Sequence, residues 1–128
     1  MNIGRIPAKH ARLTPQRVAL IDIPNDRRMT FAELDERVRR LGNALLNQLG
    51  LEKGDRVAVI AKNWIEYMEV YYACALCGLI VQPINWRLGQ PEMTRILQDG
   101  EPSVVVLSDE YADLEAALAP NLDVPHWL

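Results

Sequence analysis

Two kinds of hydrophobic spacing alternate along the chain, and together they predict alternating helices and strands. Through residues 31–49, apolar side chains recur every three or four positions, which is the spacing of an amphipathic helix. Thr30 and Glu33 can form a capping box at its start, and Gly50 can adopt a left-handed conformation after its end. Residues 56–61 instead form a short run rich in β-branched side chains, which is typical of a buried parallel strand.

The same alternation continues to the end of the chain. The other predicted strands are 18–21, 28–30, Leu79–Pro83 and Ser103–Leu107, and the other predicted helices run from Trp64 to Cys77, from Gly89 to Gly100 and from Ser108 to Leu118. Strand–helix alternation favours right-handed crossovers. The predicted fold class is therefore α/β, a parallel sheet flanked by helices on both faces.

The helix predicted from Trp64 to Cys77 is apolar or aromatic on nearly every side. Its only charged residues are Glu66 and Glu69, and Asn63 with Glu66 three positions later can cap it. A helix that is apolar all round is expected to be buried all round. We therefore expect it to pack against a partner that these residues do not include. The alternative is that its tyrosine hydroxyls simply reach water at the rim.

Composition places the chain among ordinary globular proteins. Its 128 residues are 49% hydrophobic and 24% charged, which argues against disorder and against a disulfide scaffold. The start lacks a signal-peptide pattern, and no apolar stretch approaches the roughly 20 residues of a membrane span. Since Cys74 and Cys77 are the only cysteines, a cytoplasmic location is expected.

Charge is distributed unevenly. Twelve Lys and Arg against seven Asp and Glu give residues 1–62 a net charge of +5, and two against ten give residues 63–128 a net charge of −8. The densest basic run, Arg37, Arg39 and Arg40, is interleaved with acidic residues at the spacing of helical ion pairs. We interpret this run as a solvated helix face and expect no nucleic acid partner.

Most motifs that carry chemistry are absent from the sequence. The seven glycines are too scattered for a phosphate-binding loop, and the only histidines, His10 and His126, lie near opposite ends. Cys74 and Cys77 have the spacing of a redox pair, but they lie at the C-terminal end of their helix, where the helix dipole does not activate a thiol. We interpret them as small buried side chains, and we predict no catalytic residue and no metal ligand.

One loop has a positional argument for function. Asn85, Trp86 and Arg87 follow the strand that ends near Pro83, and ligands of open parallel sheets bind beyond the carboxyl ends of the strands. An amide, an indole and a guanidinium suit an anionic or planar ligand. A purely structural loop before the helix at Gly89 stays an alternative.

Several segments together resemble the opening of the adenylate-forming enzymes, and most of all the fatty-acyl-CoA synthetases. These segments are Thr30–Leu34, Leu49–Ala58, Asn63 with Glu66, Ala73–Gly78, and Pro83–Leu88 followed by Pro91 and Glu92. Their order and spacing extend over nearly the whole chain. The resemblance identifies residues 1–128 as the N-terminal portion of the large domain of such an enzyme, with a flavodoxin-like α/β subdomain.

The resemblance also implies a reaction. Such enzymes join a carboxylate to ATP as an acyl-adenylate and then transfer the acyl group to CoA, while Mg²⁺ screens the phosphates. ATP, Mg²⁺, CoA and a fatty acid are thus expected for the whole enzyme, and none is expected to bind tightly to this chain alone. The family's phosphate loop, adenine and ribose contacts and catalytic lysine lie downstream, so the chain alone is expected to be inactive.

The same resemblance suggests a role for the candidate loop and a partner for the apolar helix. Asn85, Trp86 and Arg87 match the family's Asn-x-Arg-Leu stretch and are expected at the mouth of the cleft, on its CoA side. The remainder of the enzyme is expected to pack on the helix from Trp64 to Cys77. A homodimer and peripheral membrane association are left open.

Two other functions also stay open. One is another adenylating enzyme with the same opening, such as an aryl-CoA ligase or a carrier-loading domain, because the residues that set acyl specificity lie downstream. The other is a stand-alone, non-enzymatic α/β module that uses the apolar helix as its contact surface. A phosphoacceptor receiver domain fits poorly, because Lys62 and Asn63, and no aspartate, follow the central strand.

Overall fold

The computed structural model describes residues 2–128, which fall into two units. The first unit contains residues 2–53 together with Trp64–Gly78, and the second contains Gly54–Asn63 together with Leu79–Leu128. Each unit is described separately below.

The first unit is mainly helical and carries one antiparallel strand pair. Its elements are α1 (Ile6–Leu13), β1 (Val18–Asp22), β2 (Arg27–Thr30), α2 (Phe31–Asn43), a π-helical turn (Ala44–Gln48) and α3 (Ile65–Cys77). The predicted capping box is confirmed: Thr30 Oγ1 accepts the Glu33 N–H at 3.3 Å, and Glu33 Oε2 accepts the Thr30 N–H at 2.7 Å. Gly50 has the expected left-handed backbone, with φ of 72°.

The predicted cap of α3 is wrong. Trp64 occupies the N-cap position and makes no side-chain cap bond, so Asn63 does not cap the helix. Glu66, the expected partner of Asn63, instead accepts a hydrogen bond from Arg27 Nη2 at 2.6 Å. A partner 39 residues away in sequence has therefore replaced the local capping interaction.

Within this chain α3 is buried on one side only, and the expected partner for its other side stays a prediction. Its buried residues lie on one face and are Ile65, Glu69, Val70, Ala73 and Cys74. Met68 and Tyr71 on another side are 36% and 39% exposed. Most of the buried side chains are apolar, and the one carboxylate among them, that of Glu69, is paired with Arg37.

The sequence pattern predicted no helix or strand before residue 18. The structure has α1 in this segment, with Pro7 in its first turn. Gly4, just before α1, is buried against the backbone of α3. A β-carbon at this position would lie 2.6 Å from the Leu76 α-carbon, so only glycine fits without a backbone shift.

The second unit is a four-stranded parallel sheet with helices. Its elements are β3 (Arg56–Ile60), β4 (Ile80–Ile84), α4 (Gln90–Gly100), β5 (Val104–Leu107), α5 (Leu114–Leu118) and β6 (His126–Trp127), in the spatial order β4-β3-β5-β6. The predicted α/β fold with a parallel sheet is confirmed. The two-residue strand β6 was not predicted, since a run of two residues carries no periodicity.

The core of the second unit lies between the sheet and its helices. Residues 57–60 of β3 are fully buried, as expected for a central parallel strand. One hydrophobic cluster joins alternate strand residues to α4 and α5, and its buried members are Ala58, Ile60, Ile84, Met93, Leu97, Val105 and Leu118.

The predicted role of Ser108 is wrong. Ser108 precedes a short 3₁₀ turn at Asp109–Tyr111, and its hydroxyl makes no cap bond; α5 begins only at Leu114. The Ser108 side chain is buried, and its oxygen has no hydrogen-bond partner among residues 2–128.

Candidate functional site

The carboxyl ends of three adjacent strands meet at one side of the sheet. Ile60 of β3 is in register with Ile84 of β4 and with Leu107 of β5. Ser108 donates its backbone N–H to the Ile60 carbonyl oxygen at 3.2 Å. The residues that follow these strands therefore leave the sheet side by side, and we refer to residues 61–62, 85–87 and 108–111 as the carboxyl edge.

Asn85 begins a turn that directs the two residues after it. Its Oδ1 accepts the backbone N–H of Arg87 at 3.0 Å, and its carbonyl oxygen accepts the N–H of Leu88 at 3.1 Å. Asn side chains stabilise turns in this way. The Asn85 side chain thus holds the loop that carries Trp86 and Arg87.

Trp86 is the aromatic centre of the carboxyl edge. It is half-buried against the hydrophobic cluster of the second unit, and its ring stacks with Tyr111 at a centroid distance of 6.0 Å. The Arg87 guanidinium carbon lies 4.0 Å from the Trp86 ring centroid, and Lys62 Nζ lies 5.1 Å from it. Cations within about 6 Å of an indole ring are attracted to its face. Two cations therefore border one aromatic ring.

Lys62 and Glu110 form an ion pair across the carboxyl edge. Lys62 Nζ donates to Glu110 Oε2 at 2.7 Å, and the same nitrogen lies 5.9 Å from the Tyr111 ring centroid. The hydrogen bond to Glu110 raises the pKa of Lys62. Both side chains are about half exposed, so water and solutes reach the pair.

The three predicted residues lie together at the carboxyl edge, as their position after β4 indicated. Lys62, Glu110 and Tyr111 were not predicted as site residues. The same strand-end argument applied to β3 and β5 would have found them, because Lys62 follows β3, and Glu110 and Tyr111 follow β5, just as Asn85 follows β4.

Two polar groups at the carboxyl edge lack a protein partner. Among residues 2–128 no carboxylate lies within 4.0 Å of the Arg87 guanidinium, and that side chain is exposed. The buried Ser108 hydroxyl is unpartnered as well. The cations beside an aromatic ring suit a ligand that combines a planar group with a phosphate.

The cysteines of α3 do not form a reactive pair. Cys74 is fully buried, and burial, followed by the nearby Cys77, raises the pKa of its thiol to about 12. Burial also raises the pKa of Cys77. Raised pKa values keep both thiols protonated at neutral pH, which supports the interpretation of the cysteines as packing residues.

The described residues contain neither a metal-binding cluster nor a membrane-spanning helix. Across residues 2–128 no three His, Cys, Asp or Glu side chains come together in a way that could hold a metal ion. No helix in the same range is long and apolar enough to cross a bilayer. The expected cytoplasmic location stays a prediction.

Comparison with known sequences gives a consistent result. The sequence model of the family described as "AMP-binding enzyme" matches residues 7–126. The chain is 38% identical over 117 residues to a feruloyl-CoA synthase of an Amycolatopsis species, which covers 91% of this chain and 23% of that protein. It is 34% identical over 124 residues to the long-chain-fatty-acid–CoA ligase FadD13 of Mycobacterium tuberculosis, which covers 97% of this chain and 24% of that protein.

Solved structures show the same fold. The N-terminal domain of FACL13 from Mycobacterium tuberculosis superposes with a TM-score of 0.90 at 32% identity, covering 100% of this chain and 33% of that one. The anthranilate CoA ligase AuaEII, solved with anthranoyl-AMP, superposes with a TM-score of 0.90 at 26% identity, covering 99% of this chain and 24% of that one. The present chain thus spans only a quarter to a third of these proteins.

Proposed function

The chain belongs to the AMP-binding enzyme family, and on that premise we propose that it forms the N-terminal part of an ATP-dependent acid–CoA ligase. The match extends over residues 7–126, and the relatives named above are CoA ligases and a CoA synthase. Because these relatives are about four times longer, the activity is proposed for a longer protein that contains these residues.

The proposed reaction has two steps. A carboxylate oxygen attacks the α-phosphorus of ATP, which forms an acyl-adenylate and releases pyrophosphate. The CoA thiol then attacks the acyl carbon, which forms the thioester and releases AMP. ATP, Mg²⁺ and CoA are the cofactors of the longer protein; we assign neither a catalytic residue nor a metal ligand to residues 2–128.

A fatty acid is the substrate that we propose first. Support comes from the long-chain-fatty-acid–CoA ligase FadD13, which aligns with 97% of this chain. An aromatic acid is the second candidate, because the feruloyl-CoA synthase shares slightly higher identity, 38% against 34%.

In the second unit, the cluster of side chains at the carboxyl edge supports a role in the reaction. Arg87, free of a carboxylate partner in the described structure, lies beside the face of Trp86. CoA carries phosphates and an adenine ring, which a guanidinium and an indole can bind by charge-assisted hydrogen bonds and by stacking. We propose that the carboxyl edge is one wall of the CoA cleft and that Asn85 positions it.

A turnover assay tests the proposed activity. The 128-residue chain and a longer protein that carries it would be incubated with ATP, Mg²⁺, CoA and either fatty or aromatic acids. We expect acyl-CoA and AMP from the longer protein only, with the preferred acid distinguishing the two substrate classes. Acyl-CoA formation by the 128-residue chain, or none by the longer protein with any acid, would contradict the proposal.

We also propose that the rest of the longer protein covers the exposed side of α3. Met68 and Tyr71 are the exposed large apolar residues of this helix, and Tyr67 stacks on Tyr71 at a centroid distance of 5.4 Å. Burial raises the pKa of Tyr67, so this side is already partly shielded from water. The solved N-terminal domain of FACL13 is about three times as long as this chain. We propose that residues corresponding to its additional length cover the exposed side of α3.

Sedimentation tests this assignment against a self-associating module. We expect the 128-residue chain to sediment as a monomer, because the cover is another part of the longer protein. A stable dimer that Tyr71→Lys dissociates would contradict the assignment and favour a stand-alone module. Leu13→Lys on α1, another exposed apolar position, is the matched control.

A further inference from the structure

We propose that Glu110 is an internal counter-ion which a phosphate group of an adenine nucleotide displaces from Lys62, so that Lys62 is a second phosphate-binding residue beside Arg87. This inference rests on the proposed function of the carboxyl edge. It adds a residue that binds the ligand, Lys62, and a residue that competes with the ligand, Glu110.

Lys62 and Arg87 both lie beside the Trp86 ring. Lys62 Nζ and the Arg87 guanidinium lie 5.1 Å and 4.0 Å from the centroid of the same indole ring. A ligand phosphate bound beside the Trp86 ring therefore has two cations near it. Only Lys62 is neutralised in the described structure, by the carboxylate of Glu110 at 2.7 Å.

The ion pair between Lys62 and Glu110 is open to exchange with a ligand. The side chains of Lys62 and Glu110 are 50% and 46% exposed, and exposed ion pairs contribute little to stability. A phosphate at neutral pH carries more negative charge than a carboxylate and offers three acceptor oxygens. A bound phosphate is thus a stronger partner for the ammonium group than Glu110 is.

The Ser108 hydroxyl, near this ion pair, has no partner in the described residues. Ser108 directly follows β5 and precedes Glu110 by two residues, and its buried hydroxyl makes no hydrogen bond within residues 2–128. Its backbone N–H donates to Ile60, two residues before Lys62. The unpartnered hydroxyl therefore lies beneath the two segments that carry the ion pair, below the surface that a ligand reaches.

Two ligands of this reaction share the required chemistry, since both CoA and ATP join an adenine ring to phosphates. Three probes separate the sources: adenosine 3′,5′-bisphosphate, which reproduces the nucleotide end of CoA, then ATP, and then inorganic phosphate. Each would be titrated into the ¹⁵N-labelled 128-residue chain while the indole N–H signals are followed.

The decisive variants are Glu110→Gln and Lys62→Met. Removing the competing carboxylate should tighten adenosine 3′,5′-bisphosphate binding about three- to fivefold, the range that a weak exposed ion pair allows. Lys62→Met should weaken binding by a similar factor, and the double variant should bind no more tightly than Lys62→Met. Glu115→Gln removes an equal charge from an exposed position of α5 and controls for net charge.

Each outcome of the titrations decides one question. Binding by the wild-type chain with no difference between Glu110→Gln and Glu115→Gln would overturn this inference and leave the proposed function standing. No binding of any probe by the wild-type chain or by Glu110→Gln would overturn both. If Glu110→Gln tightens the binding of ATP and of the bisphosphate equally, the result supports a general site for nucleotide phosphates. If it tightens the binding of the bisphosphate alone, the result supports a site for the nucleotide end of CoA.

Discussion

Replacing Leu97 with alanine is expected to lower the free energy of unfolding by about 2–5 kcal/mol. Leu97 is 1% exposed on α4 and belongs to the hydrophobic cluster that also includes Ile60 and Leu118. Its loss would leave a cavity beside the sheet that the surrounding side chains fill only partly. Urea unfolding followed by circular dichroism would measure the change.

The neighbouring residue supplies the control. Ile96 lies on the same helix and is 40% exposed against 1% for Leu97, so Ile96→Ala removes less buried surface and should cost clearly less, about 1 kcal/mol. Equal losses for the two variants would show that α4 does not pack through Leu97 as described.

Replacing Arg87 with alanine is expected to weaken CoA binding by the 128-residue chain about tenfold or more. The guanidinium is the cation at the carboxyl edge without a carboxylate partner in the described structure, and a charge-assisted hydrogen bond to phosphate is worth roughly 1.5 kcal/mol or more. The wild-type affinity itself should be weak, in the millimolar range, because one wall of a cleft makes few contacts.

Arg56 gives a matched control for Arg87. It is an exposed arginine at the amino end of β3, so Arg56→Ala removes the same charge from the opposite side of the same sheet. We expect Arg56→Ala to bind CoA as the wild type does. Equal weakening by both variants would mean that CoA responds only to net charge.

Local patterns predicted the elements whose interactions are local. The capping box at Thr30 and Glu33 links residues three positions apart, and the burial of β3 follows from its own continuous apolar run. The cap of α3 was wrong because Glu66 pairs with Arg27, which no local pattern reveals. Helix α1 was missed although Pro7 in its first turn is a local signal, whereas the close approach of Gly4 to Leu76 is a long-range contact that no local pattern reveals.

Only part of the candidate site was predicted, because only part of it consists of residues that are neighbours in sequence. Asn85, Trp86 and Arg87 are consecutive and follow one strand, so the strand-end rule selects them directly. Lys62 and Glu110 are 48 residues apart and become neighbours only through the parallel register of β3 and β5. Their pairing depends on β5 lying directly beside β3 and on the side chains that follow the two strands, and the sequence pattern states neither.

The central claim is that the carboxyl edge of the sheet binds CoA, and a chemical-shift map of the ¹⁵N-labelled chain titrated with CoA tests it most directly. We predict that the signals which move belong to residues 61–62, 85–88 and 108–111, including the Trp86 indole N–H. Shifts confined to the amino ends of the strands, around Arg56, Ile80 and Ser103, or no shifts at millimolar CoA, would contradict the claim.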